Sequence, residues 1–123
     1  MSLADIHGRL GYTALFFTLI MALWGLWRFF RRQGVDSSYW GALVIAEILY
    51  IAQAGLGAFL FFSGIGVLTG GYIHILYGVV SILVIPAVFF FTRGDELRRA
   101  MLIYGIGLLF LVGVLIRSIS TGG

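Results

Sequence analysis

The chain has no cysteine, a single proline, and charged side chains at only 11% of its 123 positions. Without cysteine there are no disulfides, thiolate-held iron–sulfur clusters, thiol nucleophiles or covalently attached c-type haem, which requires C-x-x-C-H. The scarcity of charge, against about 25% in an ordinary soluble domain, excludes a soluble globular protein. No nucleophile–base pair, phosphate-binding loop or multi-ligand metal motif is present, so soluble globular catalysis has no support. The net charge of +3 comes from eight arginines scattered among apolar runs. They form no basic face interleaved with aromatics, which excludes nucleic acid as a main partner.

What the chain does have is apolar length: 61% hydrophobic residues, 18 glycines and a mean hydropathy of +1.07. Glycine is commoner in lipid-buried helices than in soluble ones. A hydrocarbon core of about 30 Å takes about 20 helical residues, and four runs approach or exceed that length: Leu10 to Trp27, Tyr39 to Phe62, Tyr72 to Phe91, and Met101 to Ile116. Short connectors between them make sequence neighbours antiparallel. The expected fold is all-α, one integral membrane domain forming a transmembrane four-helix bundle with both termini on the outer side. Ser2 to Asp5 and Thr92 to Asp95 have capping-box spacing, and Asp36 and Thr69 are candidate caps for the second and third helices. No secretory signal is evident, so the first helix is expected to stay in the membrane. Thr121 to Gly123 read as a short solvated tail.

Arginines set the expected orientation. Arg28, Arg31, Arg32, Arg93, Arg98 and Arg99 fall at one surface and only Arg9 and Arg117 at the other. The positive-inside rule then puts residues 28–38 and 92–99 on the cytoplasmic side, with a prokaryotic plasma membrane as the expected location. Trp24, Trp27 and Trp40 read as an interfacial belt.

The only two histidines occur in matching settings, Ile6-His7-Gly8-Arg9-Leu10-Gly11 and Ile73-His74-Ile75-Leu76-Tyr77-Gly78. Small residues recur seven positions on, Ala14 and Ser81, giving H-x3-G-x2-[AS] at the start of the first and third helices. Positions i, i+4 and i+7 share a helix face, so each histidine sits above a strip of missing side chain. His7 precedes Arg28 by 21 positions and His74 precedes Arg93 by 19, heights of ~31 and ~28 Å at 1.5 Å per residue. In a four-helix bundle the first and third helices are diagonal, so inward-facing histidines meet across the interior. Two imidazoles at one depth beside small residues suit the axial ligands of haem b, with the iron between them. Ala54, Gly55, Gly57, Ala58 and Gly113 add small residues at the same level. Arg117, at i+4 from Gly113, is the expected partner of a haem propionate. Arg9 is turned toward headgroups or water.

On these paired motifs the chain resembles the small four-helix transmembrane b-type cytochromes, in which histidines on facing helices hold haem non-covalently. The resemblance implies electron transfer, one bis-histidine haem near the outer face, and a place in a respiratory or photosynthetic complex with quinone or other redox subunits as partners. Members of that class commonly carry two haems on four histidines; this chain has no histidine in its inner half, so one haem fits. Two other readings of the residues stay open. Interfacial histidines and packing glycines describe a cofactor-free accessory or assembly subunit. Glu47, the one carboxylate inside a span, describes a proton-coupled carrier, a proton relay or a quinone contact, and the face it shares with Tyr50, Ala54 and Ala58 is expected to point inward, near Thr18. Gln53 and Tyr104 read as helix–helix hydrogen-bonding groups, and Pro86 is expected to bend the third helix.

Overall fold

A computed structural model describes residues 2–63 and 72–121. It is an all-α bundle of four helices: α1 (Leu3–Phe30), α2 (Ser37–Ser63), α3 (Tyr72–Thr92) and α4 (Arg98–Thr121). Each is long and apolar enough to cross a membrane. α1, with 28 residues, is about 42 Å long, so its charged ends Asp5 and Arg28 reach beyond a hydrocarbon core of about 30 Å. The helices extend past the apolar runs because flanking polar residues continue them into the interface. Thr69 and the expected connector after Ser63 lie outside the described residues, as do Gly122 and Gly123; the expected tail is helical as far as Thr121.

Two of the expected caps form. Ser2 and Asp5 make a reciprocal capping box on α1, with Ser2 Oγ accepting from the Asp5 N–H at 3.1 Å. Asp36 Oδ1 accepts from the Tyr39 N–H at 2.9 Å and caps α2. The box expected at Thr92 to Asp95 does not form. Thr92 belongs to α3, and its hydroxyl donates back to the Val88 carbonyl, while Asp95 accepts from the Leu97 N–H. α3 continues through Pro86 as a single helix.

α1 packs on α2 and α4, and α3 packs on the same two, so α1 and α3 are diagonal. The core is built from stripes at helical spacing. α1 contributes Gly11, Ala14, Thr18, Met21, Ala22 and Gly25. α2 contributes Tyr39, Leu43, Ala46 and Tyr50, and α4 contributes Met101, Tyr104, Leu108, Leu111 and Leu115. Small residues let the backbones approach closely: a Cβ at Gly105 of α4 would lie 2.8 Å from Leu26 of α1. The outward faces carry Phe16, Ile20, Phe62, Phe90 and Phe91, all exposed, which in a bilayer contact lipid.

At the arginine-rich end the two connectors are tied together. The Val35 N–H donates to the Glu96 carbonyl at 2.8 Å. Arg28 donates to the Gly34 carbonyl and pairs with Asp36 at 3.3 Å, and Arg98 donates to the Phe29 carbonyl at 2.8 Å while lying over the Phe29 ring. Of the three tryptophans, Trp24 and Trp40 pack inward. Both are half-buried against the core tyrosines, Trp24 on Tyr39 and Trp40 on Tyr104, whereas Trp27 is exposed under the Arg31 guanidinium.

Candidate functional site

The opposite end of the bundle, where α1 and α3 begin, brings the two histidines together. Their ring centres are 6.3 Å apart and their planes cross at 80°. Diagonal placement allows this: α1 and α3 have no backbone contact, and the gap between them is spanned by side chains. Each imidazole leans on one of the other two helices. A Cβ at Gly57 of α2 would lie 3.1 Å from Cε1 of His7, so any side chain there would press on that ring. His74 Nδ1 lies 3.0 Å from the Ser118 carbonyl of α4. A carbonyl only accepts, so in this contact the ring donates from Nδ1, and the tautomer that does so carries its lone pair on Nε2. A ring N–H donated to a backbone carbonyl is the usual way of orienting a metal-binding histidine. His7 Nδ1 is buried with no hydrogen-bond partner.

The neighbouring small residues divide into those that face this pair and those that do not. Ala14 and Ser81 are buried, and Ser81 donates to the Gly78 carbonyl at 2.7 Å. Gly78 is half-buried with no atom within 4 Å of where a Cβ would be, whereas the space beside Gly11 holds the Gln53 amide at 3.1 Å and Ile119 at 3.8 Å. Gly55, Ala58 and Gly113 are exposed. Arg117 does share the Gly113 face, but that face points out of the bundle. α4 is apolar all round, and it is the stripe Leu108, Leu111 and Leu115 that packs inward; an arginine opposite that stripe reaches the interface rather than the histidines.

Gln53 and Ser118 complete the arrangement. Gln53 Nε2 donates to the His7 carbonyl at 2.7 Å, the helix–helix bond expected of it, though its place beside a histidine was not apparent from spacing. Ser118 meets His74 Nδ1 with both its carbonyl, at 3.0 Å, and its hydroxyl, at 3.5 Å, a contact set by the stagger of α3 and α4 rather than by any spacing in the sequence.

Glu47 is half-buried at the edge of the inward face. Ala46 and Tyr50 occupy the core, and Tyr50 hydrogen-bonds Thr18, whose hydroxyl donates to the Ala14 carbonyl at 2.7 Å. Glu47 lies one position around, in a groove of about 390 Å³ between α2 and α3, with Pro86 among its walls. Its Oε1 is buried without a hydrogen-bond partner. Tyr104, also expected to bond across helices, is buried with its hydroxyl turned toward Thr92 of α3. Among the described residues no group of three or more His, Cys, Asp or Glu side chains is placed to hold a metal, so a site at the histidines rests on two protein ligands. No protein-family profile, curated protein or solved structure matches this chain.

Proposed function

We propose that this chain is a membrane b-type haem protein that carries electrons, with His7 and His74 as the axial ligands of one haem. The observation that carries the reading is the 6.3 Å between ring centres on diagonal helices. A metal–imidazole bond of about 2 Å, with about 1 Å more from the bonded nitrogen to the ring centre, puts two ligands of one metal about 6 Å apart. The donor set fits as well. Two neutral imidazoles suit haem iron, the His74–Ser118 contact orients one ring, and the His7 ring is half-buried beside Gln53 of α2. Haem, when bound, supplies the one-electron chemistry. The protein's own contribution is to hold the ligands, keep water away with the surrounding apolar core, and leave space at Gly78. Arg117, turned outward, is not in place to pair with a propionate.

The test is haem content after replacing each histidine. His7→Ala and His74→Ala are both expected to purify without stoichiometric b-haem, and a full complement in both variants contradicts the assignment. The second reading, a cofactor-free packing subunit, is favoured by one observation: Gly11, Gly25, Gly105 and Gly107 are all pressed against side chains of neighbouring helices. Under it the folded protein is colourless and stays so with added haem. In either case the arginine asymmetry supports residues 28–38 and 92–99 facing the cytoplasm.

A further inference from the structure

The groove beside Glu47 lies ten positions along α2 from Gly57, about 15 Å from the histidine pair, and nothing in the haem reading uses it. Its rim residues Val44, Ile48 and Phe90 are exposed, so in a bilayer it opens toward lipid. Three of its side chains are aromatic, and they stand across one another: Trp40 and Phe89 have ring centres 5.7 Å apart at 70°, and Phe89 and Phe90 are 5.9 Å apart at 81°. The result is a corner of crossed rings sharing a groove with a single carboxyl group.

Among the described residues no ion pair reaches Glu47, the two ion pairs present being Arg28–Asp36 and Arg99–Asp95. A carboxyl group within a membrane span is costly and calls for a partner. The walls decide which kind. Strongly hydrated metal cations need several oxygens in place of their water, and the surface of this groove is almost wholly apolar, with Glu47 the single acidic residue among its walls. An acyl chain fills the space but brings no charge opposite the carboxyl group. An organic cation with an apolar shell suits such walls: Glu47 supplies a counter-charge at low dielectric, the aromatic side chains of Trp40, Phe89 and Phe90 are the kind that attract a cation, and its shell replaces lipid against the apolar surface. The volume falls within the ~300–1,000 Å³ of small-molecule sites.

We infer that the α2–α3 groove is a binding site for lipophilic organic cations, with Glu47 as counter-ion and Trp40, Phe89 and Phe90 as an aromatic corner. The site is independent of the histidine pair and stands or falls without it.

Equilibrium dialysis of the detergent-purified full chain against tetraphenylphosphonium tests this. Saturable binding near one per chain is expected, weakened about tenfold or more by Glu47→Gln and less by Glu47→Asp. Phe89→Leu is expected to weaken it, whereas Phe110→Leu, exposed on α4, is expected to leave it unchanged. Circular dichroism and gel filtration establish that the compared variants are folded. Should Glu47→Gln misfold, the Phe89→Leu against Phe110→Leu comparison decides alone. Equal binding by the wild type and Glu47→Gln overturns the inference, as does Glu47-dependent binding of a neutral hydroxylated ring such as a quinol in place of the cation.

Discussion

His7 and Gly57 depend on one another across a helix boundary. A methyl group at Gly57 would sit 3.1 Å from the imidazole, closer than ordinary packing allows, so Gly57→Leu should turn the His7 ring away from His74. The expected outcome is a bundle that still folds but loses or perturbs its reduced haem bands; a spectrum identical to wild type contradicts the placement of His7 as a ligand. The buried Thr18–Tyr50 pair gives a separate test of the core. Thr18 spends its hydroxyl proton on the Ala14 carbonyl, so the Tyr50 hydroxyl is the donor between them. Thr18→Val strands that buried donor and should cost about 1–3 kcal/mol, read as a lower thermal midpoint in detergent. The meeting of the histidines was legible in the sequence, because i, i+4, i+7 spacing and a diagonal relation need no knowledge of helix rotation. Gln53 beside His7 and Ser118 beside His74 were not, because both depend on the axial stagger of neighbouring helices.

Helix ends were easier to read than helix faces. Ser2 and Asp36 act as caps because each lies just ahead of an apolar run and has a backbone N–H within reach. Thr92 fails as a cap because α3 runs through it and its hydroxyl turns back to Val88. Faces are harder to read because a membrane helix is apolar all round, and periodicity then carries little information about which side packs inward. Gly113 and Arg117 were misassigned for this reason: they share a coherent face, but another stripe of the same helix fills the core. The connectors yield a contrast between two glycines. A Cβ at Gly34 would run into the backbone carbonyl of Glu96, with other backbone atoms of Glu96 and Leu97 close behind, and no side-chain rotation relieves that. Gly34→Ala should therefore destabilise the bundle by about 1–3 kcal/mol. Gly41→Ala, in a helix with nothing within 4 Å, should be neutral or stabilising by up to about 1 kcal/mol. Thermal unfolding of the two variants side by side checks both, and equal midpoints contradict the connector clamp.

Taken together, the four helices form a bundle with unlike ends. One end holds the histidines among apolar and small residues, and the other is tied by arginines to carbonyls and carboxylates. The orientation proposed from the arginine asymmetry is directly testable, because the sequence has no cysteine. An impermeant maleimide applied to intact cells should label Ser120→Cys, and should label Ser38→Cys only after permeabilisation; the reverse pattern contradicts the orientation. The central claim, that the histidine pair holds haem, is tested most directly by a reduced-minus-oxidised visible spectrum of the purified wild-type protein, with a pyridine haemochrome assay for stoichiometry. Sharp reduced bands at one b-haem per chain are the predicted result. A folded protein that is colourless and remains so with added haem contradicts it.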